Sequence, residues 1–133
     1  MFVKDLVRFN RENYYNGAVQ TDWFYDKSKV KNIARSYVFH GPKYYGVSDK
    51  DVKSGEHKLI DTASFAKIVV EKLYEKVVEN NFVLTIAGYG TGKSHLAVTL
   101  GALLSGNSDL QKAVVKNIAS VDGQIASEIE KKI

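Results

Sequence analysis

Eight consecutive residues carry the densest chemistry in this sequence: Gly88, Tyr89, Gly90, Thr91, Gly92, Lys93, Ser94 and His95. A polyphosphate concentrates negative charge in a small volume, and a backbone wraps it closely only where side chains do not obstruct the approach. Glycines remove that obstruction and permit φ > 0 where the chain turns back on itself. Phosphates then sit at the N-terminus of the following helix, where backbone N–H groups and the helix dipole favour anions. Lys93 supplies a mobile charge for the β and γ phosphates and is the candidate catalytic residue. Ser94 supplies a hydroxyl to ligate Mg²⁺. The chemistry this spacing suits is capture of a triphosphate with Mg²⁺. Two neighbours admit two readings each. Tyr89 either shields the loop or points to solvent. His95 either approaches a phosphate or touches the neighbouring strand from the helix surface. The first glycine of the G-x-x-x-x-G-K-[ST] pattern falls on Ala87, with Gly88 beside it.

Such a loop needs a strand to enter it and a helix to leave it. Phe82 to Ala87 is a short apolar run that reads as a buried strand, and Leu96, Ala97, Leu100, Leu103 and Leu104 continue a helix that Gly106 stops. Upstream, Asp61-Thr62 is an N-cap signal for a helix through ASFAKIVVEKLYEKVVEN. Phe65, Ile68, Val69, Leu73, Val77 and Val78 recur at helical spacing as its apolar face, and Lys67 and Glu71 form an i,i+4 pair on its solvated side. Downstream, Ser108 or Asp109 caps a further helix. Leu110, Val114, Ile118, Val121, Ile125 and Ile129 follow at amphipathic spacing, and Asp122-Gly123 divides them into two pieces.

The net charge of +4 is unevenly placed. Residues 1–45 hold eight Lys/Arg against four Asp/Glu, and eleven of the fifteen aromatic residues, whereas residues 46–133 are neutral. Basic residues among aromatics suit nucleic-acid contact, by phosphate neutralisation and base stacking. The same aromatics also suit packing of a small subdomain or a protein interface, and packing is the favoured reading. Within this head, Asn16-Gly17 is a turn signal, and Ser28 to Ser36 reads as a short basic helix with Val30, Ile33 and Ala34 inward. Tyr37-Val38-Phe39 reads as an extended piece. Residues 46–60 are polar and read as a linker, and residues 61–133 as the start of an ATPase domain.

With no cysteine, disulfides and thiolate metal sites are excluded, and three scattered histidines suggest no metal cluster. The apolar runs are far short of a membrane span and the first residues are not a signal peptide, so a cytoplasmic protein is expected.

Hydrolysis also needs an acidic residue at the end of a buried strand to hold Mg²⁺ and orient water. No such pattern follows Ser94. Ile68-Val69-Val70-Glu71 has the letters, but it lies upstream on a helix and reads as core packing. Only one convincing strand is visible where a parallel sheet needs several. The chain therefore reads as an N-terminal fragment of a larger ATPase, binding nucleotide without efficient hydrolysis by itself.

Gly90-Thr91-Gly92-Lys93-Ser94-His95-Leu96-Ala97 resembles the phosphate loop of AAA+ ATPases, in the helicase-loader and transposition-helper branch. It is also similar to the loop of the very large bacterial ATPases of phage-defence systems such as BREX. The resemblance covers residues 82–104. It implies an α/β fold, a partial P-loop three-layer sandwich behind an aromatic-rich head. It also implies ATP and Mg²⁺ as ligands, with Gly92, Lys93 and Ser94 as phosphate and Mg²⁺ residues, and adenine near Leu59, Ile60 and Asp61. The partners it implies are the rest of the ATPase domain, DNA or a DNA-associated complex, and further copies of the full-length protein. The alternative is a nucleic-acid or protein-binding module whose nucleotide loop is regulatory or vestigial.

Overall fold

A computed structural model describes residues 18–42, 60–74 and 92–133. After a 3₁₀ turn at Thr21–Tyr25 come α1 (Lys27–Ser36), α2 (Thr62–Tyr74), α3 (Lys93–Leu104), α4 (Ser108–Ala119) and α5 (Gly123–Glu130). Four of the five helices start where the sequence offers a side-chain cap. Asp26 Oδ1 accepts from the N–H groups of Ser28 and Lys29, and Asp61 Oδ1 from Ser64 N–H at 2.8 Å. Asn107 Oδ1 accepts from Asp109 and Leu110, and Asp122 Oδ1 from Gln124 and Ile125. Each such bond satisfies a first-turn donor that the helix itself leaves unpaired. Gly106, at φ 71°, ends the α3 region in the left-handed conformation that glycine adopts without steric cost.

The expected α/β sandwich is not what these residues form. Every regular element among the described residues is helical, with no strand among them. The apolar faces of the helices close on one another. α3 is central: it packs against the 3₁₀ turn, α1 and α4, while α4 packs on α5 and α5 on α2. One apolar cluster runs through all of them, including Val30, Ala34, Phe39, Val70, Leu103, Val114, Ile118 and Ile129. A sheet is therefore not needed to cover these helix stripes, which is why the layer argument from sequence fails here. The strand expected at residues 82–87 lies outside the described residues, as do residues 1–17, the turn at Asn16-Gly17, most of the 46–60 linker and the Val77-Val78 end of the upstream helix.

The described part of the aromatic head, residues 18–42, joins the same core. Val30, Ile33 and Ala34 of α1 are buried. Trp23, Phe24 and Tyr37 pack on the cluster, and Phe39 is fully within it. Tyr37-Val38-Phe39 is extended without strand pairing, so Tyr37 and Phe39 turn inward, ring to ring, while Val38 is 71% exposed. On α2 the buried residues are Ala63, Ala66 and Val70, and Leu73, expected on the apolar face, is 61% exposed. Phe65 and Val69 of the expected face pack beside them, partly buried. Lys67 pairs with Glu128 of α5 as well as with Glu71 on its own helix, which ties the two helices in one register.

Two tertiary contacts fix α1. The Asn117 amide on α4 donates to the carbonyls of Ala34 at 2.9 Å and Tyr37 at 3.3 Å, satisfying acceptors at the end of α1 that the helix leaves open. Gly101 on α3 gives Phe24 its seat: a Cβ there would lie 3.0 Å from the ring. Gly101→Leu should displace Phe24 and destabilise the protein by about 1–3 kcal/mol through overpacking. Trp23 is the sole tryptophan, so a denaturation curve followed by its fluorescence reads this directly. An unchanged midpoint and emission maximum would refute the seat.

Candidate phosphate site

The α3 N-terminus differs from the other four. Its N-cap is Gly92, at φ 80° and ψ 20°, and no side chain from that position caps the helix. The ladder begins with Leu96 N–H donating to Gly92 O at 2.9 Å. A Cβ on Gly92 would meet nothing within 4 Å, so the demand for glycine comes from the backbone angle alone. Gly92, Lys93 and Ser94 are all exposed, and the first turn carries no acidic residue. This end of α3 thus combines an accessible backbone, one lysine, one hydroxyl and the positive end of a helix dipole. Those groups suit an anion and would repel a cation lacking one. Gly88, Tyr89, Gly90 and Thr91 lie outside the described residues. Leu59 does also, whereas Ile60 is exposed and Asp61 caps α2.

His95 sits one turn further in, and its ring is engaged on the α1 side. It meets Tyr37 edge to face at 4.9 Å. Its Nε2 lies 3.4 Å from the Ile33 carbonyl, which accepts when Nε2 carries the proton. Burial holds the imidazole below its ordinary pKa, and the Ile33 carbonyl works partly against this. Burial pushes the Tyr37 phenol up, with a Thr62 hydrogen bond opposing it. Thr62 Oγ1 in turn accepts from His40 N–H at 2.8 Å, and His40 O accepts from Ala63 N–H at 3.0 Å. These contacts link the first turn of α3, the end of α1 and the start of α2. Periodicity carried no signal for them, because the partners are 62 and 22 residues apart in sequence.

A group whose folded pKa lies below its unfolded value gives stability that is present above the unfolded value and lost as pH falls through the folded one. For His95 the loss begins below about pH 6.5. Asp26 and Glu128 are also held low, Asp26 first by the Lys29 N–H and Glu128 first by the Lys67 ammonium, so they act only at more acidic pH. Thermal melts from pH 7.5 to 5 should therefore fall with acidification, and His95→Gln should flatten the decline. An equal decline in that variant would remove His95 as its source.

No group of three or more His, Cys, Asp or Glu capable of holding a metal exists among the described residues. Among the same residues no helix is long and apolar enough to cross a membrane. No protein-family model matches the chain, and no curated protein or solved structure is detectably similar to it.

Proposed function

We propose that this chain binds ATP with Mg²⁺ through residues 88–94, as the nucleotide-binding portion of a larger P-loop ATPase of the AAA+ type that works on DNA or a DNA-associated complex. The observation that supports this reading is the start of α3. There the Gly-Lys-Ser of the sequence motif meets a left-handed glycine and an exposed first turn with no side-chain cap from Gly92. Backbone N–H groups of the loop and of that turn would bind phosphate oxygens, Lys93 would neutralise the β and γ phosphates, and Ser94 would ligate Mg²⁺. A Mg²⁺ ion held by one hydroxyl needs phosphate oxygens and water for its remaining ligands, so it binds with the nucleotide and not before it.

The test is a titration of the chain with a fluorescent ATP analogue, with and without Mg²⁺. Binding should be saturable and tighter with Mg²⁺. Ser94→Ala should keep the Mg²⁺-free affinity and lose most of the Mg²⁺ enhancement. Equal enhancement in that variant would take the metal away from Ser94, and no saturable binding by the unmodified chain would remove the reading.

A further inference from the structure

α1 presents a cationic face that the core does not use. Val30, Ile33 and Ala34 point inward, and Lys27, Ser28, Lys29, Lys31, Asn32 and Arg35 are exposed. Lys27, Lys31 and Arg35 follow one another at four-residue intervals, so they form a single row with about 6 Å of axial rise between neighbours. None of the three pairs with a carboxylate among the described residues. Lys29 lies off this row, over the Trp23 ring at 4.6 Å. α1 has no acidic residue of its own. Asp26 is occupied as its cap, and Asp22, on the 3₁₀ turn, is the other carboxylate within residues 18–42. Directly before the helix, Tyr25 is 86% exposed, in contrast to Trp23 and Phe24, which pack on the core.

We infer that the Lys27–Lys31–Arg35 row of α1 and the Tyr25 ring form a docking surface for single-stranded nucleic acid. A row of long cations along one helix neutralises successive phosphates of one strand. An exposed aromatic ring two residues before that row offers a base a face to stack on, and a single strand has unpaired bases to place there. A duplex keeps its base faces stacked inside, and an acidic peptide gains nothing from the ring. The row and the ring share no residue with Gly92–Ser94, so the inference does not depend on nucleotide binding.

The test is fluorescence anisotropy of the full chain with a labelled oligothymidine. Three phosphate contacts give a salt slope near −2 for a single strand, so affinity should fall about 20-fold between roughly 50 and 200 mM salt. Combined Lys27→Gln, Lys31→Gln and Arg35→Gln should weaken binding and flatten that slope. The charge-reversed Lys27→Glu, Lys31→Glu, Arg35→Glu chain should abolish binding; if it fails to fold by circular dichroism, the glutamine variant decides. Tyr25→Ala should lower affinity about fivefold or more at an unchanged slope. Four results would overturn the inference: no binding at about 50 mM salt, full binding by the glutamine variant, displacement of oligothymidine by polyglutamate at equal charge, or a duplex competing equally while Tyr25→Ala is neutral.

Discussion

Lys93→Ala should reduce affinity for a Mg²⁺–ATP analogue by about 10- to 100-fold, because hydrogen bonds to charged groups contribute about 1.5–3 kcal/mol each. Fold damage does not account for such a loss. Lys93 is exposed at the first position of α3, and alanine is the better helix former there. The melting temperature should therefore hold while binding falls, and an isothermal titration beside a thermal melt separates the two. Lys93→Arg should recover part of the affinity: it restores the charge, but a planar fork replaces a compact ammonium. Affinity unchanged in Lys93→Ala would place the nucleotide elsewhere or nowhere. The partner experiment is Gly92→Ala, which leaves the lysine but opposes φ 80°. It should weaken binding through the backbone, since no neighbour obstructs the added methyl.

Local features of this chain were legible in its sequence because local physics makes them. The inward triad of α1, the Gly106 stop and the division at Asp122-Gly123 each follow from periodicity or backbone preference within a few residues. The layer arrangement was not legible. One apolar run and a motif suggested a sheet, whereas the described helices find their partners in each other. The face of α2 was legible in part, since Phe65 and Val69 pack on the core as expected while Leu73 does not. Large residues such as Leu73 dominate a periodicity count, but Ala63 and Ala66 are what close packing selects. Of the candidate site, Gly92, Lys93 and Ser94 fall together at a helix start. His95 has its ring on Tyr37, a contact across 58 positions that no spacing rule contains. The aromatic head divides in the same way. Phe24 is inward because Gly101 leaves room for its ring, and Tyr25, its sequence neighbour, is outward.

Leu103→Ala should be among the most destabilising single changes in the core, costing about 2–5 kcal/mol, from lost transfer energy and the cavity left behind. Leu103 is fully buried on the helix that touches the 3₁₀ turn, α1 and α4, so its side chain lies where collapse would require several elements to move. A domain of this size holds about 5–15 kcal/mol in total, which makes this loss a large fraction of its stability. The way the protein unfolds carries further information. A single apolar cluster joins α2 and α5 to α1, α3 and α4. Trp23 fluorescence, which reports the α1 and α3 side, and far-ultraviolet circular dichroism, which reports all helices, should therefore shift by the same amount in the variant. Coincident shifts are what one cooperative core requires. If the Trp23 transition moves and the helical signal keeps a component at the original midpoint, α2 and α5 form a separately stable unit. The Lys67–Glu128 pair would then be a contact within that unit, and it would no longer tie α2 and α5 into the core built on α3.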